Sequence, residues 1–202
     1  MNVRIAQLLS FNAGGWYDNA LEINQYTVKL WMITQTMDPL EQNIAFLRMK
    51  HFVYNELDST IFINSTNVEK CSELAKVGLN ITTLPGDPVD QLIGIMLFHK
   101  LNAIMEGRIA VVEVEISAGD AVIYLHGENE TSESLEQPAW WNSSDLTHSD
   151  IVLTDSDKVL SIAPSTVWRD MGLAWPEAED SDKTGNIVVF ADFKTSDETE
   201  QI

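Results

Sequence analysis

The chain holds a single cysteine, Cys71, in 202 residues. An internal disulfide is excluded, and with it the class of small secreted domains held together by such bridges. No apolar run approaches the roughly 20 residues needed to cross a bilayer. The opening stretch MNVRIAQLLSFNAGG has too short an apolar core for a secretory signal. The expectation is a soluble protein of the cytoplasm. Positive charge is scarce, with 12 Lys and Arg against 31 Asp and Glu and a net charge of -19. A field of that sign repels phosphate backbones and anionic headgroups, which disfavours direct nucleic-acid or membrane binding. Signature motifs are missing too. No G-x-G-x-x-G follows a strand and no P-loop occurs, so no nucleotide cofactor is expected. Without an H-x-x-x-H, an H-E-x-x-H or a cysteine pair, no metal centre is expected either.

What is present is an ordinary globular share of hydrophobic residues, 45%, and an uneven distribution of acid. Residues 1–110 carry 11 acidic and 8 basic side chains, whereas residues 111–202 carry 20 and 4. The second part is therefore the acidic one, and its field would attract basic protein surfaces and divalent cations.

Strand and helix signals alternate along the first part. YTVKLWMIT (26–34) is rich in β-branched and aromatic residues and reads as a buried strand. In MDPLEQNIAFLRMKHFVYNEL, Asp38 suits an N-cap, Pro39 the first helical position, and Glu41 the return arm of a capping box. STIFIN (59–64) reads as a strand, the segment after Ser65 as a helix ending at Gly78, and LNITTL (79–84) as a third strand. A second DP start, DPVDQ at 87–91, opens a helix apolar nearly all round, which places it in the interior. RIAVVEVEIS and AVIYLHG then flank a turn as an antiparallel pair. DPLEQ and DPVDQ share helix-start chemistry; an old βαβ duplication is the less economical account of them.

The fold class expected is α/β, with a mixed, largely parallel sheet flanked by helices in the order β-α-β-α-β-α-β. Residues 1–126 form this core. Residues 127–202 form an antiparallel, acidic elaboration packed on it, within one structural domain. That part is expected to contain a long polar loop at 127–150, strands at KVLSIA and GNIVVFADF, a short helix at STVWRDMG and a frayed tail from Lys194.

Ligands of parallel sheets gather beyond the carboxyl ends of strands, where helix N-termini point. Thr34, Asn64, Ser65 and Asn67 occupy such positions and could line a polar cleft, although helix capping alone also selects these residue types. His126 ends a strand and His148 and Asp150 lie in the long loop, a weak set of candidates for a metal or for acid and base work. His51 and His99 fall on apolar helices and read as core or boundary groups. Two adjacent tryptophans, Trp140 and Trp141, sit inside the polar loop near Glu133, Glu136 and Asp145. Either they clamp the acidic part onto the core, with Trp168 and Trp175, or they form an aromatic patch with an acidic rim that binds a protein partner.

The stretch TVKLWMI followed by DPLEQNIAFLRMKHFVYNELDSTIFIN resembles uncharacterised accessory proteins of large tailed bacteriophages over about the first third of the chain. The resemblance implies a phage-encoded protein made in the host cytoplasm and carries no catalytic motif. The favoured functional reading is an intracellular acidic protein-binding factor, host- or defence-directed if phage-encoded. It would act through the Trp-bearing acidic surface on a basic or mixed protein surface, and it leans away from enzymatic activity. The alternatives are a small-ligand binder or metal-dependent hydrolase using the strand-end cleft with His126 and His148, and a structural component of an oligomer or virion.

Overall fold

A computed structural model of the chain describes residues 4–119, 122–126, 137–150 and 168–176. The strands expected at 158–163 and 185–193, the tail, and Glu133 and Glu136 lie outside the described residues. The first two strands are long: β1 (Arg4–Tyr17) and β2 (Ala20–Thr34) pair antiparallel along their whole length. They are joined by Asp18 and Asn19, whose φ angles of 47° and 60° make the left-handed two-residue turn that suits the twist of a hairpin. Asp and Asn tolerate that conformation better than other residues with a side chain.

The remaining strands are β3 (Ile61–Asn64), β4 (Ile81–Leu84), β5 (Ile109–Ser117) and β6 (Val122–His126). They complete one six-stranded sheet in the order β4-β3-β1-β2-β5-β6. β1 with β3 and β3 with β4 are parallel; β1 with β2, β2 with β5 and β5 with β6 are antiparallel. The sheet is therefore mixed, and the expectation of a largely parallel one is corrected. The cause is β1, which sequence reading left out: inserted between β2 and β3, it reverses the sense of β2 relative to its neighbours. The same insertion removes the support for a duplication. The unit β2-helix-β3 joins antiparallel strands, while β4-helix-β5 joins parallel ones, so the two DP starts share cap chemistry and not topology.

Helix α1 (Pro39–His51) opens as its sequence dictates, with the Asp38 carboxylate accepting from the Leu40 N–H at 2.8 Å and Pro39 inside the first turn. The expected box is not closed by Glu41. The Asp38 N–H goes instead to the Thr36 hydroxyl, and Glu41 accepts from that hydroxyl and faces Arg108. The helix runs on through a widened π-helical stretch, Phe52–Leu57, that buries Phe52, Val53 and Leu57. Helix α2 is Val68–Lys76 and helix α3 is Asp90–Met105. For α3 the expected cap at Asp87 and first position at Pro88 are displaced: Val89 is the N-cap and the helix begins at Asp90.

α1 and α3 cover one face of the sheet. Leu9, Phe11, Tyr26, Leu30, Met32, Val114 and Ile116 meet them there, which is the main core. α3 buries side chains all round, as expected of so apolar a helix. Gly94 lets it approach the sheet, since a Cβ there would stand 2.7 Å from Leu125 Cδ1. α2 lies on the opposite face, where Cys71 joins Ile63 and Ile81 in a second small cluster. None of the described helices is long and apolar enough to cross a membrane.

Candidate functional site

The parallel part of the sheet ends in a polar cleft of about 350 Å³. β1 supplies Trp16 and Tyr17, the hairpin turn Asp18 and Asn19, and β3 Ile63 and Asn64; Thr66, Asn67 and Asp87 close it. Asn64 ties the far wall together. Its amide nitrogen donates to Asp87 Oδ1 at 3.1 Å, and its Oδ1 accepts from the Thr66 N–H and hydroxyl at 3.0 and 2.8 Å. Asn67 stands at the N-cap of α2 but makes no side-chain cap bond. Trp16 is half-buried, with the Lys70 ammonium 4.8 Å from its ring centre and the charge of Lys70 paired with Glu73. The lining thus presents one indole, one phenol, amides and two carboxylates, and no basic side chain.

Of the four residues expected here, Asn64 and Asn67 are in place and two are not. Thr34 ends β2, which runs antiparallel to β1 and β3, so it lies at the opposite end of the sheet, buried and paired with Ile109. Ser65 does not line the cleft; its backbone N–H extends the β3–β4 ladder to Leu84 O at 2.7 Å. Trp16 to Asn19 were missed because β1 itself was missed. The signal was there: an Asp-Asn pair between two β-rich runs marks a hairpin.

The aromatic loop is interior. Trp140 and Trp141 are 2% and 0% exposed, on a short 3-10 turn (Ala139–Asn142) packed against α3. His99 of α3 stacks on Trp141 with ring centres 6.0 Å apart. The expected docking role of these two indoles is therefore corrected: burying large apolar rings outweighs presenting them to water. Asp145 is also enclosed. It faces Lys100 at 3.5 Å and accepts from the Thr147 N–H at 2.9 Å. Lys100 comes from the middle of α3 and is fully buried; its ammonium donates to the Trp140 and Ser143 carbonyls at 2.9 and 2.8 Å. Burial pushes its pKa down to about 8, and Asp145 partly offsets the shift.

Asp150 accepts from the N–H groups of Ala139 and Trp140 at 2.8 and 3.0 Å, so its carboxylate serves the start of the 3-10 turn. His148 runs along β4, its carbonyl accepting from the Thr83 N–H at 3.0 Å, and burial holds its imidazole below the usual histidine range. His126 is the last residue of β6, paired with Glu113. Among the described residues no group of three His, Cys, Asp or Glu could hold a metal ion. His51 lies 3.4 Å from Glu56 and against the edge of Trp168.

Trp168 and Trp175 hold residues 168–176 to the core. Both contact the guanidinium of Arg48 of α1, whose Nε donates to Leu173 O at 2.8 Å and whose Nη1 donates to Glu106 Oε1 at 2.8 Å.

No family model and no curated protein matches the chain. Among solved structures it is similar to an uncharacterised protein from Wolinella succinogenes, with 14% identity, 63% of this chain and 99% of that chain covered, and a TM-score of 0.47. It is also similar to 6-pyruvoyl tetrahydropterin synthase from Plasmodium vivax, with 12% identity, 62% and 98% covered, and a TM-score of 0.43. The Plasmodium falciparum enzyme of that name gives 14% identity, 62% and 98% covered, and a TM-score of 0.37.

Proposed function

We propose that the chain is a binding protein whose strand-end cleft holds a small, neutral or cationic ligand rich in hydrogen-bond donors. The observation that supports this reading most is that the polar side chains of the cleft are not used up in starting helices. Asn67 caps nothing, and Asp87, released from the cap position, keeps one carboxylate oxygen beyond the bond from Asn64. Asp87 and Asp18 supply acceptors, Trp16 supplies a flat apolar wall, and two carboxylates without a base disfavour anions. A ring bearing amino groups, or a small amine that rests on the indole, fits this set.

The test is thermal shift and calorimetry against small amines, polyols and amino-substituted heterocycles, with phosphate and sulfate as controls. A ligand at 100 times its Kd adds about 2.7 kcal/mol of stability. Stabilisation by donors, absent with the anions and lost in Trp16→Ala and Asp87→Asn, is expected. A flat response across the panel rejects the reading.

A second reading rests on charge: the 20 acidic and 4 basic side chains of residues 111–202 favour docking on a basic or mixed protein surface, as a host-directed factor would. With Trp140 and Trp141 in the core, the carboxylates carry it without those aromatic anchors. A pull-down whose partners do not weaken with rising salt speaks against it.

A further inference from the structure

The outer edge of the hairpin is bare. β5 pairs with β2 only from Thr27 onward, opposite Ser117, so residues 20–26 have β1 on one side and, among the described residues, no strand on the other. The two-residue turn makes Tyr17 and Ala20 a hydrogen-bonded pair. Alternation then points the N–H and C=O groups of Ala20, Glu22 and Asn24 toward β1, and those of Leu21, Ile23 and Gln25 outward. The edge has no proline, no lysine and no bulge, the devices by which proteins usually blunt such a strand. Its apolar side chains stand in water: Ile23 is 77% exposed and Leu21 43%.

We propose that this edge pairs antiparallel with the same edge of a second copy, about a two-fold axis through Ile23. The register follows from the backbone. Centring on Ile23 sets Leu21 opposite Gln25 of the second copy and Ile23 opposite itself, which uses all the outward-facing groups of the free segment. Centring on Glu22 or Asn24 would pair only Leu21 with Ile23, or only Ile23 with Gln25, which leaves one outward-facing residue of each copy without a partner in the free segment, and the Glu22 axis would also set Glu22 opposite itself. Centring on Gln25 would require Thr27, which β5 occupies. Side-chain chemistry agrees. Glu22 falls opposite Asn24, so no like charges meet, and the two Ile23 side chains cover each other. The hairpin tip of each copy abuts the end of the other's β5 at Ser117, which limits the ladder to this length.

The axis through residue 23 gives the pairing a test of its own. Sedimentation of the full chain between about 5 and 200 µM is expected to show a reversible dimer, and Ile23→Lys and Ile23→Glu each to raise its Kd about tenfold or more. Both substitutions are at an exposed position, so circular dichroism and Tm should be unchanged. Mixing the two variants is expected to restore dimer as the Lys–Glu heterodimer, because residue 23 meets its own copy. A monomer at the highest concentration overturns the proposal. So does a dimer indifferent to both substitutions, or a mixture that stays monomeric.

Discussion

The guanidinium of Arg48 lies 3.9 Å from the ring centre of Trp175 and 4.9 Å from that of Trp168, so one buried cation contacts both indoles. Arg48→Met removes both cation–π contacts and the bonds to Leu173 O and Glu106, and should cost about 3 kcal/mol. The exposed Arg169 lies inside the clamped segment. Trypsin cleavage after it is expected to accelerate in the variant, and an unchanged cleavage rate would show that the segment is held by something other than Arg48.

Lys100 should give stability a positive slope above neutral pH. Its pKa in the folded chain is about 8 against 10.5 for the free side chain, because burial disfavours the ammonium. Between those values the unfolded chain binds more protons, so this group makes the protein more stable as pH rises, by up to about 1.4 kcal/mol per pH unit. Below pH 8 both states are protonated and the burial cost is constant. Urea melts from pH 7 to 10 check this; in Lys100→Met the rise should be gone. That variant also leaves the Trp140 and Ser143 carbonyls without the ammonium and should lose about 2 kcal/mol at pH 7.

His148 acts at the other end of the scale with the same sign. Its folded pKa is depressed by burial, so as pH falls below about 6.5 the unfolded chain takes up the proton first and stability drops. His148→Gln should flatten that acid limb, measured as Tm between pH 7 and 5.

Two residues at helix N-caps should behave differently. Asp38 bonds the Leu40 N–H, and Asp38→Ala should cost about 1 kcal/mol. Asn67 makes no cap bond, so Asn67→Ala should cost less than about 0.5 kcal/mol. Equal losses in denaturant titrations would show that Asn67 serves the helix and not the cleft.

Gly94→Ala sets two effects of opposite sign against each other. Alanine gains about 1 kcal/mol in a helix interior, but its methyl would stand 2.7 Å from Leu125 and 3.1 Å from Ile116. Overpacking of that kind costs about 1–3 kcal/mol, so a net loss is expected. A Tm at or above that of the parent chain would mean that α3 can lift from the sheet.

Much of the local structure was legible in the sequence. Asp38 and Pro39 mark the start of α1 because the first orphan N–H groups need an acceptor and a residue that lacks one. The interior position of α3 follows from its want of a polar face. β1 was not legible in the same way: Gly14 and Gly15 interrupt a run that otherwise alternates, and the reason for the first appears only in three dimensions. A Cβ on Gly14 would meet Leu21 Cδ1 at 2.8 Å, whereas one on Gly15 would make only ordinary contact with Pro88 at 3.6 Å. With β1 unseen, the sense of β2 was unreadable, and Thr34 was assigned to the wrong end of the sheet. Asn64 and Asn67 were found because strand-end logic holds wherever the strands are parallel. Trp140 and Trp141 show the limit of composition. A polar neighbourhood in sequence says nothing of whether a loop is drawn inward, and here a lysine 40 to 45 positions before its partners does the drawing.

That lysine also makes the segment a wall of the interior and not an appendage to it. An ammonium in the middle of the most apolar helix is out of water with its bonds met only where the carbonyls of Trp140 and Ser143 stand against it, so α3 and the sheet exclude solvent there only together with that segment.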